Sequence, residues 1–144
     1  MANNLTSANS IIMLTVAGLY DSPQQLQEFA AEDIFDTAMV SNAEVVMGAD
    51  GVMSYGYVFT TRVQTFHIQA NSPSATIFDD WINAEEQARD KFTAGAVITL
   101  PGLGATWTLT NGVLSSFSMM PDAKKILQPR SFVITWNKMV GAPL

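Results

Sequence analysis

A single stretch of this chain carries the period of a helix, and nearly everything around it has the alternation or composition of strands. Ser72 followed by Pro73 is an N-cap with proline at the first helical position. Ile77, Trp81, Ala84, Ala88 and Phe92 then recur at helical spacing and form one apolar stripe, so a helix is expected over about 73–92. Glu85 and Arg89 stand four residues apart and are expected to pair on its exposed side. An amphipathic helix of this kind has to lie against something apolar, and here that is a sheet.

The strands are read on either side of it. Residues 10–17 are apolar and partly β-branched, ending at Gly18. Residues 24–40 carry both signals: Leu26, Phe29, Ala30 and Ile34 fall at helical spacing within β-like surroundings, and extended structure is expected. Glu44-Val45-Val46-Met47 runs into Gly48-Ala49-Asp50-Gly51 and out through Val52-Met53, a hairpin whose Asp-Gly supplies the turn. The return run, 57–70, changes apolar parity between Val63 and Phe66, which suggests a bulge or a strand shared between two sheets. Residues 95–100 make a strand closed by Pro101-Gly102. Residues 106–110 alternate, turn at Asn111-Gly112 and return over 113–119 as a second hairpin. Residues 121–128 read as a loop or short helix, and 130–138 as a last strand with Phe132, Ile134 and Trp136 on one face. At 144 residues this is one domain of six or more strands and one helix.

Composition argues for self-association. Charged residues make up 14% of the chain and hydrophobic ones 48%, whereas about 25% charged is usual for soluble domains. Buried interface centres are depleted in charge in the same way. Residues 1–61 contain seven acids and no Lys or Arg; all seven basic residues lie from Arg62 onward. A negative half argues against gripping nucleic-acid phosphates and suits a surface that repels polyanions or meets a basic partner. The longest apolar stretch, 11–19, is shorter than the ~20 residues that span a bilayer, and its N-terminal flank lacks the basic residues of a signal peptide. A protein made in a cytoplasm, with no membrane insertion, is expected.

Enzymatic chemistry is hard to place. There is no cysteine and only one histidine, His67, so neither thiolate chemistry nor the usual zinc shell is available. A Ser-His-Asp triad would have to recruit His67, and no serine stands in a nucleophile-elbow pattern. Of the paired carboxylates, Asp79-Asp80 and Glu85-Glu86 belong to the helix, and Glu32-Asp33 is the better pair for acid–base work. Gly102-Leu103-Gly104 is too short for a nucleotide fingerprint. No enzyme and no cofactor are expected.

The order of elements, with Gly48-Ala49-Asp50-Gly51 leading to Val52-Met53-Ser54-Tyr55-Gly56, resembles the tail-tube proteins of contractile-tailed bacteriophages. The run Ile68-Gln69-Ala70-Asn71-Ser72-Pro73-Ser74 to Phe78-Asp79-Asp80-Trp81 is similar to their strand-to-helix junction, and Phe132-Val133-Ile134-Thr135-Trp136 to their last strand. The resemblance covers roughly 10–140 and extends to the tubes of phage-like bacteriocins and secretion systems. It implies a mainly β fold (α+β): two packed antiparallel sheets forming a sandwich or open barrel, a flanking helix and a long protruding hairpin at about 41–56. It also implies hexameric rings stacked into the inner tube, a conduit for DNA ejection within the virion.

Sheath, tail-initiator and baseplate proteins would be its partners besides itself, and DNA would pass through without specific binding. On this reading the first ten residues and the hairpin, with Met47, Asp50, Val52, Met53, Tyr55 and Tyr57, make the stacking contacts. Asp33, Asp36 and Glu44 are the acids expected to face the lumen. Met and Tyr suit such a contact, one adaptable in shape and the other joining apolar area to a polar tip. A packed satellite core under the hairpin is the alternative. For the whole chain the rival is a small-molecule-binding β-barrel, which needs an apolar interior pocket with a few polar groups. An acid–base hydrolase using Glu32 and Asp33 comes third.

Overall fold

The computed structural model describes residues 10–29 and 34–143. In chain order the elements are β1 (Ile11–Val16), β2 (Tyr20–Gln25), β3 (Phe35–Thr37), β4 (Ala43–Met47) and β5 (Met53–Tyr57). They continue with β6 (Arg62–Ile68), α1 (Ser74–Ala88), β7 (Ala94–Leu100), β8 (Ala105–Phe117) and β9 (Arg130–Pro143). Seven strands form one antiparallel sheet in the order β2-β1-β7-β8-β9-β6-β3, and β4 with β5 form a second, two-stranded one. The large sheet does not close, so β2 and β3 remain as edges. The fold is therefore mainly β, with one flanking helix and a projecting hairpin, as expected.

The core lies between the inner face of the large sheet and α1. Alternate residues point inward along each central strand, such as Ile12, Leu14 and Val16 on β1 and Phe132, Ile134 and Trp136 on β9, all fully buried. The helix answers with Phe78, Trp81 and Ile82, and the Phe78 and Phe132 rings stack at 4.2 Å between centroids. Each such side chain contributes about 1.5–3 kcal/mol on burial. The start of α1 is fixed from outside. Ser72 Oγ accepts from the Ser74 N–H (3.1 Å) and donates to the Gln27 carbonyl (2.5 Å), while Ser74 Oγ accepts from the Gln27 N–H (2.7 Å).

Three local expectations are corrected. First, α1 stops at Ala88, because Arg89 takes a left-handed conformation (φ 53°) and caps it. Glu85 then faces inward, 7% exposed, and does not pair with Arg89. It accepts from Trp81 Nε1 (3.0 Å), Lys91 Nζ (2.6 Å) and the Phe92 N–H (2.9 Å), satisfying an indole and the chain beyond the helix end.

Second, Asn111-Gly112 is no turn: β8 runs straight through it. Only Asn111 has positive φ (51°), whereas a tight two-residue turn of the Asn-Gly type needs it at both positions. One left-handed residue produces a bulge against β7 instead, where the register shifts between Ala94 and Ala96. Glycine is needed at 112 for another reason, since a Cβ there would run into the Trp136 ring.

Third, the run after the hairpin breaks at 58–61, and β6 keeps one parity without a bulge. The inward site that looked apolar belongs to Gln64, not Val63. Gln64 Oε1 accepts from Trp136 Nε1 (3.2 Å) and its Nε2 donates to Thr37 Oγ1 (3.2 Å), so a buried amide is satisfied on both sides. A strand with no signal in the sequence is added: β2 has the sequence YDSPQQ, with no alternation and a proline, and exists because an edge strand needs partners on one side only.

Candidate functional site

The hairpin β4–β5 leaves the sheet where β3 ends and β6 begins. Its two strands pair Ala43↔Tyr57, Glu44↔Gly56, Val45↔Tyr55, Val46↔Ser54 and Met47↔Met53. Directly opposed residues share a face, and faces alternate along a strand. One face is therefore Ala43, Val45, Met47, Met53, Tyr55 and Tyr57, and the other is Glu44, Val46, Ser54 and Gly56.

Every residue of both strands is exposed, Tyr55 to 77%. Among the described residues no satellite core forms beneath the hairpin. An amphipathic ribbon thus presents its apolar face to solvent, and just beyond it Phe59 is 90% exposed with its ring edge-on to Tyr57 at 5.1 Å. A contiguous apolar patch of this kind marks an interaction surface.

The turn explains two of the expected site residues. The Gly48 N–H donates to the Val52 carbonyl (2.9 Å) and the Gly51 N–H to the Gly48 carbonyl (3.0 Å), with Gly51 at φ 85°. Asp50 Oδ1 accepts from the Val52 N–H at 3.1 Å. Asp50 thus shapes the tip, and Val52 follows it with its side chain exposed. Met47, Met53, Tyr55 and Tyr57 are brought onto one face.

Of the three acids expected at a lumen, two are described, Asp36 on β3 and Glu44 on β4. Glu44 stands on the polar face of the hairpin, and Asp33 lies outside the described residues, as do Glu32 and the first nine residues. Asp36, on β3, holds His67 Nε2 at 3.0 Å, while Ser131 Oγ lies 3.2 Å from His67 Nδ1. A hydroxyl, an imidazole and a carboxylate so line up across β9, β6 and β3. The serine pairs with His67 one step from the end of the β6–β9 ladder, and its own N–H is engaged with Ser118 Oγ (3.3 Å). The cluster ties the edge strand β3 to the body. Among the described residues no group of three or more His, Asp or Glu side chains is placed to hold a metal ion, and no helix is long and apolar enough to cross a membrane.

Two further features were not read from the sequence. Inside the curl of the sheet, a groove of about 270 Å³ is lined by Phe35, Leu100, Trp107 and Met139 with Thr37 and Gln64 as its polar groups. The other is the segment 118–129, where Met119, Met120, Ile126 and Leu127 are exposed. A signal for it does exist: two apolar pairs in a stretch marked by Pro121 and Pro129.

At the opposite edge Tyr20 Oη donates to Asp80 Oδ2 at 2.5 Å, tying β2 to α1. That hydrogen bond, then burial, then the Asp80 charge push the Tyr20 pKa up from 10.0 to about 12. The folded state therefore holds the phenolic proton more tightly than the unfolded state does. Its stabilisation is complete below pH 10 and is lost as the pH rises towards 12. Tyr20→Phe should flatten the stability decline in that window, read by urea titrations at closely spaced pH values.

With this geometry in hand, the fold defines a class. A chain of the PVC sheath–tube complex of an extracellular contractile injection system, in its extended state, superposes with a TM-score of 0.58 at 15% identity, covering 92% of this chain and 88% of that one. The sheath/tube terminator of such a system gives 0.60 at 14% identity over 91% and 92%. The tube-terminating cap of the anti-feeding prophage gives 0.60 at 13% identity over 100% and 94%. The chain thus has the fold seen in the tube and tube-terminator components of contractile injection systems. It belongs to the tail fiber protein gp32 family, whose model matches residues 3–140. No curated protein sequence matches it.

Proposed function

We propose that this chain is a non-enzymatic structural subunit that assembles with copies of itself into stacked, six-membered rings, forming the inner tube of a contractile phage tail. The observation that carries the reading is the β4–β5 hairpin, an exposed ribbon with one continuous apolar face and no place in its own core. Two supports stand beside it. The fold is shared with tube and tube-terminator components of contractile injection systems. Among the described residues β2 and β3 pair on one side only, and pairing them with neighbouring subunits would remove the exposed edges that invite aggregation.

On this reading the protein is made in the host bacterial cytoplasm and ends in the virion tail. A sheath protein lies outside it, a tail initiator or baseplate at one end, and DNA passes through without specific binding. The carboxylate-rich first 61 residues, with no Lys or Arg, suit a wall past which DNA slides. The apolar groove favours the rival reading, a small-molecule-binding barrel, since its few polar groups amid apolar walls are what such a pocket requires.

Mass measured by light scattering across a concentration series separates the two. Assembly predicts a steep rise in mass with concentration and a melting temperature indifferent to a ligand library. A constant monomer mass with a ligand-dependent melting temperature would overturn it.

A further inference from the structure

The hairpin has a counterpart at the far end of the molecule. β6 starts at Arg62, opposite Trp136, and ends at Ile68, opposite Arg130. The hairpin leaves from the Arg62 end. The segment 118–129 leaves β8 after Phe117, which pairs with Phe132, and re-enters at Arg130, so it sits at the Ile68 end. Along β6 the two ends are roughly 20 Å apart at about 3.3 Å per residue.

The segment is a built platform. The Gln128 N–H donates to the Asp122 carbonyl (2.8 Å), and Ala123 bridges Leu127, closing the loop on itself. Arg130 Nη2 holds the carbonyls of Ser118 (3.0 Å) and Met119 (3.3 Å) from below. Its exposed apolar side chains are Met119, Met120, Ile126 and Leu127, flanked by Lys124 and Lys125 and a single acid, Asp122. The hairpin has the reverse charge: between residues 38 and 61 the only ionised groups are Glu44 and Asp50.

Two exposed apolar surfaces thus stand on segments of opposite net charge at opposite ends of one chain, the hairpin's negative charge coming from Glu44 on its other face and Asp50 at its tip. We infer that the apolar face of the β4–β5 hairpin of one copy docks on the 118–129 platform of the next, a head-to-tail contact that rests on the self-assembly reading above. Such a contact is heterologous: it consumes a different surface on each partner and leaves one of each free at the two ends of the stack. Growth is therefore polar, with hairpins displayed at one end and platforms at the other.

The absence of cysteine makes a direct test available. Tyr55→Cys and Ile126→Cys are both at exposed positions, so neither disturbs the core. Under mild oxidation of assembled protein, the double variant should give a ladder of covalent oligomers on a non-reducing gel. Each single variant should give no species beyond a dimer. Separately, Lys124→Glu with Lys125→Glu should raise the concentration at half-assembly by roughly tenfold, the equivalent of about 1.4 kcal/mol. Assemblies that form normally but give no ladder from the double variant would overturn this contact and leave the self-assembly reading standing. Failure of the unaltered protein to assemble at all would overturn both.

Discussion

Deleting residues 47–53 and joining the ends through a short glycine linker should leave a subunit that folds and melts almost as before, yet forms no long tubes. The two halves of that expectation have separate causes. Every residue of β4 and β5 is exposed, so the deletion removes no buried core surface, and the change in melting temperature should stay within about 3 °C. The same deletion removes Met47 and Met53, the outer pair of the exposed apolar face, together with the exposed Val52 of the tip. A few residues at the centre of an interface dominate its energy, and removing them commonly raises the dissociation constant by orders of magnitude. Tube length after equal incubation is the readout. Tubes of normal length from the deleted protein would show that the hairpin is not a stacking element.

Asp79→Ala should be the most damaging single change of a partly exposed residue. Arg130 is 5% exposed, and Asp79 meets it with two bonds, Oδ1 to Nη2 at 2.8 Å and Oδ2 to Nη1 at 3.2 Å. The guanidinium also lies 4.9 Å from the centroid of the Phe132 ring, while its Nε finds no acceptor among the described residues. Removing the carboxylate leaves an almost fully buried cation with only the Ser118 and Met119 carbonyls as partners. Because Asp79 itself is 46% exposed, solvent reaching the gap reduces the cost to about 2 kcal/mol. For a chain of this size that lowers the melting temperature by roughly 6 °C. Asp79→Ala combined with Arg130→Met should recover most of the loss, because replacing a buried pair by packed apolar side chains is close to neutral. A single variant as stable as the parent would mean that Arg130 finds another counter-charge.

What the sequence discloses, and what it hides, follows from the physics of each segment. The start of α1 is legible in Ser72-Pro73 to within one residue, the helix beginning at Ser74 with Pro73 at the N-cap; Ser72 Oγ accepts from the Ser74 N–H, while its bond to Gln27 is long-range and has no local signal. The end of α1 is not legible, since Phe92 continues the helical spacing although the left-handed Arg89 has already ended the helix. The hairpin 43–57 is legible because Asp50-Gly51 sits between two alternating apolar runs.

Asn111-Gly112 has the same signature and serves as a bulge, a choice made by the pairing of β8 with β7 and β9 on both sides. Gln64 defeats the parity rule because its burial depends on Trp136, 72 residues away. For the site, the residues of the hairpin face could be named from sequence. The platform at 118–129 leaves only the signal of two apolar pairs in a proline-marked stretch, because exposure of Met119 or Ile126 is a property of the fold around it, not of the residue.

If copies of this chain build a hollow tube, negative-stain electron microscopy of the purified protein will show it. Rings or hollow tubes of constant diameter, longer when a tail baseplate is added as initiator, are the expected result. Compact single particles at every concentration, with and without the baseplate, would contradict it.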